Sequence, residues 1–155
     1  MHFNNDLGVL YLHDVIKSDY IQLREDEMSL EDVIKISCKP LIDDGVILKH
    51  YVTAIMDIID QYGMYFEYVP GILLVHANSP KDVKRVGISL TVLKKPLNYR
   101  EKKLQYIFTL ATPNHKDHAV ALDELFKIMV GENIKSINID KSTKKDYIRL
   151  LKCKE

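Results

Sequence analysis

Hydrophobic positions follow two spacings along the chain. Apolar residues recur every three or four positions within residues 30–42, 51–62, 122–129 and 147–151, which predicts amphipathic helices. Short apolar or alternating segments at residues 20–24, 72–75, 86–92 and 104–111 predict strands, and residues 133–138 fit either a short strand or a turn of helix. No linker, repeat or low-complexity segment interrupts the pattern, so the chain is predicted to form one α/β domain with its sheet covered by helices.

Capping residues set the expected helix ends. Ser29 precedes the first long helix, which should end near Gly45, with Pro40 kinking its last turn. Gly63 is expected to stop the second helix. The third helix is predicted to open at Pro113-Asn114 and to end at Gly131, and the last to begin at Ser142 or Thr143.

Two strands differ in their patterns. In residues 86–92 four apolar residues alternate with Gly87, Ser89 and Thr91, which predicts a strand with one buried face. Residues 104–111 are largely apolar, so this strand is expected to be central in the sheet.

Composition narrows the setting without naming a function. The 155 residues are 46% hydrophobic and 28% charged, as in an ordinary globular domain. No apolar run approaches the roughly 20 residues that cross a bilayer, and the N-terminus lacks a signal-peptide pattern. Cys38 and Cys153 are the two cysteines and lie far apart, so a disulfide framework is not expected and a cytoplasmic location is predicted.

Charge is balanced overall but unevenly distributed. A net charge of zero argues against nucleic acid as a partner, and the aromatic residues do not interleave with basic ones as in an RNA-binding sheet. Residues 81–103, just after His76, hold eight Lys or Arg and two Asp or Glu. These basic residues are either solvated faces of strands and loops or the source of a positive electrostatic field that attracts a phosphoryl group or an acidic partner.

His76 is the most informative single residue. It follows the apolar strand 72–75 and precedes an Asn-Ser-Pro turn, so a rigid element delivers its imidazole to the edge of the core. A histidine placed there can act as a base, a metal ligand or a nucleophile, because its neutral form is abundant near pH 7. It can equally be a half-buried histidine with a purely structural role.

The segment His115-Lys116-Asp117-His118 is the second candidate. If Asn114 caps the third helix, these residues lie at its start, where free N–H groups and the helix dipole favour an anion and keep His118 neutral. An exposed polar turn is the alternative. A zinc site made by His76, His115 and His118 is also conceivable, but His-x-x-His without an HExxH context is a weak signal.

Several segments together resemble a known family. Residues 51–57, residues 61–66 with their Gly-aromatic loop, the Pro70-Gly71 strand that leads to His76, and residues 87–97 with Lys94-Lys95-Pro96 occur in the order typical of it. The chain resembles the enzyme IIA component of the bacterial phosphoenolpyruvate-dependent sugar phosphotransferase system, in the ascorbate-type branch of the fructose–mannitol family. The similarity runs from about residue 25 to the C-terminus.

The resemblance implies a fold and a role. The fold would be a single enzyme IIA domain over residues 1–155, with a mixed, mostly parallel sheet flanked by helices and residues 1–20 as an N-terminal extension. His76 falls on the phosphorylated histidine of the family and His118 on its second active-site histidine, whereas His115 has no counterpart. No cofactor and no metal would be needed.

The expected partners follow from the same resemblance. A histidine phosphocarrier protein would phosphorylate His76, which would pass the group to a cysteine of enzyme IIB, and a membrane enzyme IIC would import an ascorbate-like or related sugar. The chain would thus be a phosphotransferase component. The sugar and the oligomeric state are not specified by the sequence.

Two positions depart from the family pattern. The family usually has proline before its active histidine and glycine after it, where this chain has Val75 and Ala77. Valine lets the strand continue, and alanine would cost about 1 kcal/mol if a positive φ were required there. These departures leave a second hypothesis open, a regulatory paralogue that senses phosphorylation and binds proteins.

Overall fold

A five-stranded sheet with the strand order β1-β4-β5-β3-β2 forms the centre of the molecule. The computed structural model describes residues 9–64, 66–114, 116 and 118–154. The strands are β1 (Ile21–Arg24), β2 (Glu67–Val69), β3 (Ile72–Val75), β4 (Gly87–Tyr99) and β5 (Lys102–Ala111). The α-helices are α1 (Leu12–Val15), α2 (Leu30–Asp43), α3 (His50–Tyr62), α4 (Ala119–Val130), α5 (Glu132–Lys135) and α6 (Lys144–Leu151).

The sheet is mixed. β1 pairs with β4 and β3 with β5 in parallel, whereas the β4–β5 and β2–β3 pairs are antiparallel. The prediction of a single α/β domain with a mixed sheet flanked by helices is confirmed, and β5 is the central strand as expected. Each strand predicted from the sequence is present, and β4 continues to Tyr99, beyond the predicted end at residue 92.

The prediction that β4 has one buried face is wrong. Residues 87–93 are all buried, so both faces of this part of β4 are covered, and α2 packs against it. The polar positions stay satisfied in the core. The Ser89 hydroxyl donates to the Ser37 carbonyl at 2.6 Å, and the Ser37 hydroxyl donates to Thr91 Oγ1 at 2.9 Å. A fully buried strand can therefore contain Ser and Thr when a neighbouring helix supplies hydrogen-bond partners for their hydroxyls.

Helices α2 and α3 end where the sequence predicts. Ser29 caps α2, and its hydroxyl accepts a hydrogen bond from the Asp32 amide at 3.2 Å. Gly45, just past that helix, has φ +71°, and Gly63 ends α3 with φ +76°. Both are backbone conformations that glycine adopts without the steric cost paid by other residues.

The predicted start of the third long helix is wrong. Helix α4 begins at Ala119 with His118 as its N-cap, not at Asn114. The Asn114 side chain instead accepts a hydrogen bond from the Lys116 amide at 2.8 Å, and its own amide donates to Thr112 Oγ1. Asn114 thus closes a local turn that competes with helix formation. Gly131 ends α4 as predicted.

The C-terminal region tests two further predictions, the element at residues 133–138 and the cap of the last helix. Residues 132–135 are a short helix rather than a strand, which resolves the ambiguity at 133–138. Thr143 caps α6, and the Asp146 carboxylate accepts from the Thr143 amide at 2.8 Å, which completes a capping box.

The described part of the N-terminal segment belongs to the core. Leu12, Val15, Ile16 and Tyr20 are buried, and the Leu12 amide donates to Glu124 on α4 at 2.8 Å. Residues 1–8 of the predicted extension lie outside the described residues. Across the part of the chain that the structure describes, no helix is both long and apolar enough to span a membrane.

Candidate functional site

His76 lies at the point where β3 leaves the core. All four residues of β3 are buried, and Val75 pairs in parallel with Thr109 of β5. His76 is the next residue and its side chain is exposed, while Ala77 after it is buried again. A single exposed side chain between buried neighbours is held by a rigid backbone, as the sequence predicted.

An aromatic side chain supports the imidazole from the protein side. The buried ring of Phe66 meets the His76 ring edge to face, with 5.3 Å between the ring centroids. Partial burial lowers the pKa of His76 below its usual value, and the nearby charge of His118 lowers it further. His76 is therefore held in its neutral, nucleophilic form at neutral pH.

His118 is oriented by the loop that connects β5 to α4. The Thr112 hydroxyl donates to the Asn114 carbonyl at 2.5 Å, so it acts as the acceptor for His118 Nδ1 at 3.1 Å. A hydroxyl has one proton to give, so Nδ1 of His118 carries a proton and donates it to Thr112. The position of His118 at the N-terminus of α4 adds the positive end of a helix dipole to the same spot.

The two histidines line one open cleft of about 690 Å³. The cleft lies between the loop after β3 and the loop before α4, and Lys116 stands in its lining. Its apolar part is formed by Leu74, Leu110, Leu122 and Phe126. The structure thus brings together the two histidines that the sequence analysis singled out.

Lys116 also lines the cleft; it belongs to the candidate segment 115–118, but the sequence predicted no separate role for it. It is exposed, and its backbone amide is fixed by the Asn114 side chain at 2.8 Å. The signal available in the sequence was a lysine between two histidines, which is also the pattern of an ordinary polar turn. Only the position of Lys116 in the lining of the cleft distinguishes a site residue from an ordinary polar turn.

The basic residues at 81–103 behave as solvated faces. None of those eight side chains, all of them described, is among the residues that line the cleft. Arg85 binds Asp44 at 3.2 Å and Lys102 binds Glu67 at 2.6 Å. These side chains therefore make no direct contact with the cleft that His76 lines.

The zinc alternative stays a prediction. His115, one of its three ligands, lies outside the described residues. Within the described residues no group of three or more His, Cys, Asp or Glu side chains could hold a metal ion.

The start of α3 holds the loop that follows His76. Tyr51 is fully buried; its hydroxyl accepts from the Ala77 amide at 3.0 Å and donates to the Leu110 carbonyl at 2.7 Å. Burial raises the pKa of Tyr51 to about 12, so the hydroxyl stays protonated at any physiological pH.

A carboxylate provides a second anchor for the same loop. The Asp82 carboxylate accepts hydrogen bonds from the Ser79 hydroxyl and from His50 Nδ1, the latter at 2.8 Å. These bonds, that of Ser79 first, hold the pKa of Asp82 below its usual value. Residues 76–82 are thus tied to α3 at two points.

The departures at Val75 and Ala77 do not distort the loop. Among the described residues, Arg100 and Lys152 are the only non-glycine residues with positive φ, so Ala77 has an ordinary backbone conformation. The condition for the expected alanine penalty is therefore not met. Val75 continues the strand as expected, in register with Thr109.

Comparison with known proteins places the chain in a family. Residues 14–153 match the family model described as "Phosphoenolpyruvate-dependent sugar phosphotransferase system, EIIA 2". The chain is 30% identical over 111 residues to an ascorbate-specific PTS system EIIA component of Shigella flexneri, a match that covers 69% of this chain and 72% of that protein.

Solved structures agree on the fold. The solution structure of the mannitol-specific cryptic phosphotransferase enzyme IIA of Escherichia coli matches with a TM-score of 0.81 at 22% identity, over 92% of this chain and 98% of that one. The complex of E. coli mannitol enzyme IIA with phosphorylated mannitol enzyme IIB matches with a TM-score of 0.74 at 14% identity, over 89% and 99% of the chains.

Proposed function

The chain belongs to the EIIA 2 family of the phosphoenolpyruvate-dependent sugar phosphotransferase system, and we propose that it carries the phosphoryl group of that system on His76. The observation that carries the proposal is the neutral, exposed imidazole at the end of a buried strand, in a cleft shared with His118. Phosphoryl transfer needs positioning and charge stabilisation more than covalent help from the protein, and this cleft supplies both.

The transfer step is a displacement at phosphorus. A ring nitrogen of His76 attacks the phosphoryl group on a donor histidine, the new P–N bond forms as the donor P–N bond breaks, and the donor imidazole leaves with the bonding electron pair. A lowered pKa at His76 keeps the attacking lone pair available at neutral pH. No metal and no organic cofactor takes part in this step.

His118 and Lys116 are proposed to stabilise the transferred group. With Nδ1–H bound to Thr112, the Nε2 atom of His118 can take up a proton as the phosphoryl anion arrives and then donate to one of its oxygens. Lys116 adds a mobile positive charge at the rim of the cleft. The dipole of α4 favours the anion as well.

The proposed partners are three proteins. A histidine phosphocarrier protein phosphorylates His76, a cysteine of enzyme IIB receives the group, and a membrane enzyme IIC imports an ascorbate-like or related sugar. The match to a complex of enzyme IIA with phosphorylated enzyme IIB supports the second partner through its fold alone. The proposal includes a cytoplasmic location, where the phosphocarrier protein would meet this chain, and treats residues 1–155 as one enzyme IIA domain.

The test is a reconstituted relay. Wild-type protein is incubated with labelled phosphoenolpyruvate, enzyme I and the phosphocarrier protein, and is then mixed with its enzyme IIB. We expect an acid-labile label that chases to enzyme IIB. His76→Ala should take up no label, whereas the control His13→Ala, a histidine on α1, should behave as wild type.

The regulatory alternative makes a different prediction in the same experiment. A phosphorylation-sensing paralogue would accept the label and fail to pass it to any enzyme IIB. The regulatory hypothesis was based on Val75 and Ala77. The ordinary backbone conformation of the loop at these residues weakens that hypothesis. Wild type that stays unlabelled with competent partners would exclude both functions.

A further inference from the structure

One buried hydroxyl joins the two strands that bound the cleft. Tyr51 Oη accepts from the Ala77 amide, next to His76, and donates to the Leu110 carbonyl near the end of β5. Its third contact, a longer one of 3.4 Å, is to the carbonyl of Ala77. Leu110 also lies two residues before Thr112, the residue that orients His118.

We propose that Tyr51 is a positioning residue for phosphoryl transfer, whose hydroxyl sets the direction of the His76 imidazole and its spacing from His118. This inference rests on the proposed role of His76. Tyr51 does not contact the reacting atoms. It acts through the backbone of Ala77 on one side and of Leu110 on the other.

Tyr51 bonds the backbone just past the end of strand β3. β3 ends at Val75, so Ala77 lies past the named strand pairing with β5. Ala77 is buried, and its N–H finds its partner in Tyr51. That bond therefore decides how the backbone leaves the strand, and with it where the Cα–Cβ bond of His76 points.

The hydroxyl suits this role because its bonding pattern is fixed. A tyrosine hydroxyl has one proton, and Leu110 receives it at 2.7 Å, so the oxygen faces the Ala77 amide as an acceptor. Complete burial keeps water from replacing either bond. Asp82, anchored by His50 next to Tyr51, holds the far end of the same loop.

The chain contains a matched control. Tyr147 on α6 is also fully buried, and its hydroxyl donates to Ser142 Oγ at 2.8 Å, outside the cleft. Tyr51→Phe and Tyr147→Phe each remove one hydroxyl from an equally buried ring. Each variant loses a buried hydroxyl; that of Tyr51 bonds the backbone beside the cleft, whereas that of Tyr147 bonds Ser142 away from it.

Two readouts are taken from both variants. The first is the rate of His76 phosphorylation by the phosphocarrier protein, separated into kcat and KM. The second is the pH titration of the His76 ring by NMR without any partner.

For Tyr51→Phe we expect kcat to fall roughly 10- to 100-fold with KM nearly unchanged, and a displaced His76 titration. Tyr147→Phe should change neither. Equal effects in the two variants, or a Tyr51→Phe protein with wild-type kcat and ring titration, would overturn the proposal.

A measurement on wild type covers the case in which Tyr51→Phe fails to fold. Amide exchange of Ala77 should be as slow as that of Val75 within β3, because both N–H groups are bonded and buried. Rapid exchange at Ala77 would contradict the proposal without any variant. The two proposals also fail separately: unlabelled wild type contradicts the role of His76, whereas an unchanged ring titration in folded Tyr51→Phe contradicts the role of Tyr51.

Discussion

The two loops that form the cleft are held in different ways. Residues 76–82 are fixed by contacts that are distant in sequence, from Tyr51 to Ala77 and from His50 to Asp82. In the loop before α4, the described residues Thr112, Asn114 and His118 are linked by hydrogen bonds that are local in sequence. Long-range bonds thus anchor the loop of the proposed acceptor histidine, and local bonds help to orient its partner histidine.

This difference predicts how the two loops respond to mutation. Changes in the contacts of the first loop should affect stability and transfer together, because the same bonds tie α3 to the sheet. Changes in the second loop should affect transfer while leaving the free energy of unfolding nearly unchanged.

The largest effect is expected from His118→Asn. Removal of a positioned donor to a developing anion typically slows a reaction by about 100-fold or more, and the positive end of the α4 dipole and Lys116 remain. The variant should still fold as wild type, which denaturant unfolding checks. Transfer at the wild-type rate would remove His118 from the site.

The same variant tests the electrostatic coupling of the two histidines. The pKa of His76 is lowered first by burial and then by the charge of His118. It should therefore rise in His118→Asn but stay below that of a solvated histidine, because the burial remains. NMR titration of the His76 ring measures this, and an unmoved pKa would mean that the two rings do not interact.

A smaller effect is expected from Asp82→Asn, which weakens the long-range anchor of the first loop. Since the folded pKa of Asp82 is depressed, the stability that its charge contributes is complete above the ordinary value of about 3.9 and is lost as pH falls through the folded value. The stability gap between wild type and variant should therefore close on acidification below about pH 4.

Thr112→Val is the counterpart of Asp82→Asn in the second loop. It should slow phosphorylation of His76 by roughly tenfold through loss of the His118 orientation, at nearly unchanged stability. If Thr112→Val lowers the free energy of unfolding as much as Asp82→Asn does, the expected difference between the two loops is contradicted.

The sequence predicts the elements that bear the two loops, but not the long-range contacts that hold the first loop. The apolar strand before His76 and the caps at Ser29 and Thr143 are local signals, and they predicted the elements correctly. The periodicity of α3 placed Tyr51 on its buried face but could not reveal its partners, because Ala77 and Leu110 are 26 and 59 residues away.

The errors have equally physical causes. Asn114 is a good cap and also a good turn residue, and the turn prevails because Thr112 and Asn114 satisfy the local backbone groups before the helix begins. The alternation in β4 suggested a solvated face, which instead is covered by α2, where Ser37 gives Ser89 and Thr91 their partners. Both outcomes depend on neighbours that a residue pattern does not contain.

The smallest effect is expected from Lys116→Gln. An exposed lysine stabilises the phosphoryl group through a partly screened charge, so the rate should fall by about three- to tenfold at low salt. The difference from wild type should shrink as salt is raised toward 1 M. Lys95→Gln is the matched control, since Lys95 is exposed and lies neither in the lining of the cleft nor in the loop 76–82. A Lys116 effect that is independent of salt would point to a role other than charge.

The central claim, that His76 is the phosphoryl acceptor, is tested most directly by locating the group in the unaltered protein. Wild type is phosphorylated through enzyme I and the phosphocarrier protein, kept at alkaline pH to preserve a phosphohistidine, and fragmented for mass spectrometry. We expect one phosphoryl group, on His76, with none on His50 or His118. A label on His118, or on any residue other than His76, would contradict it.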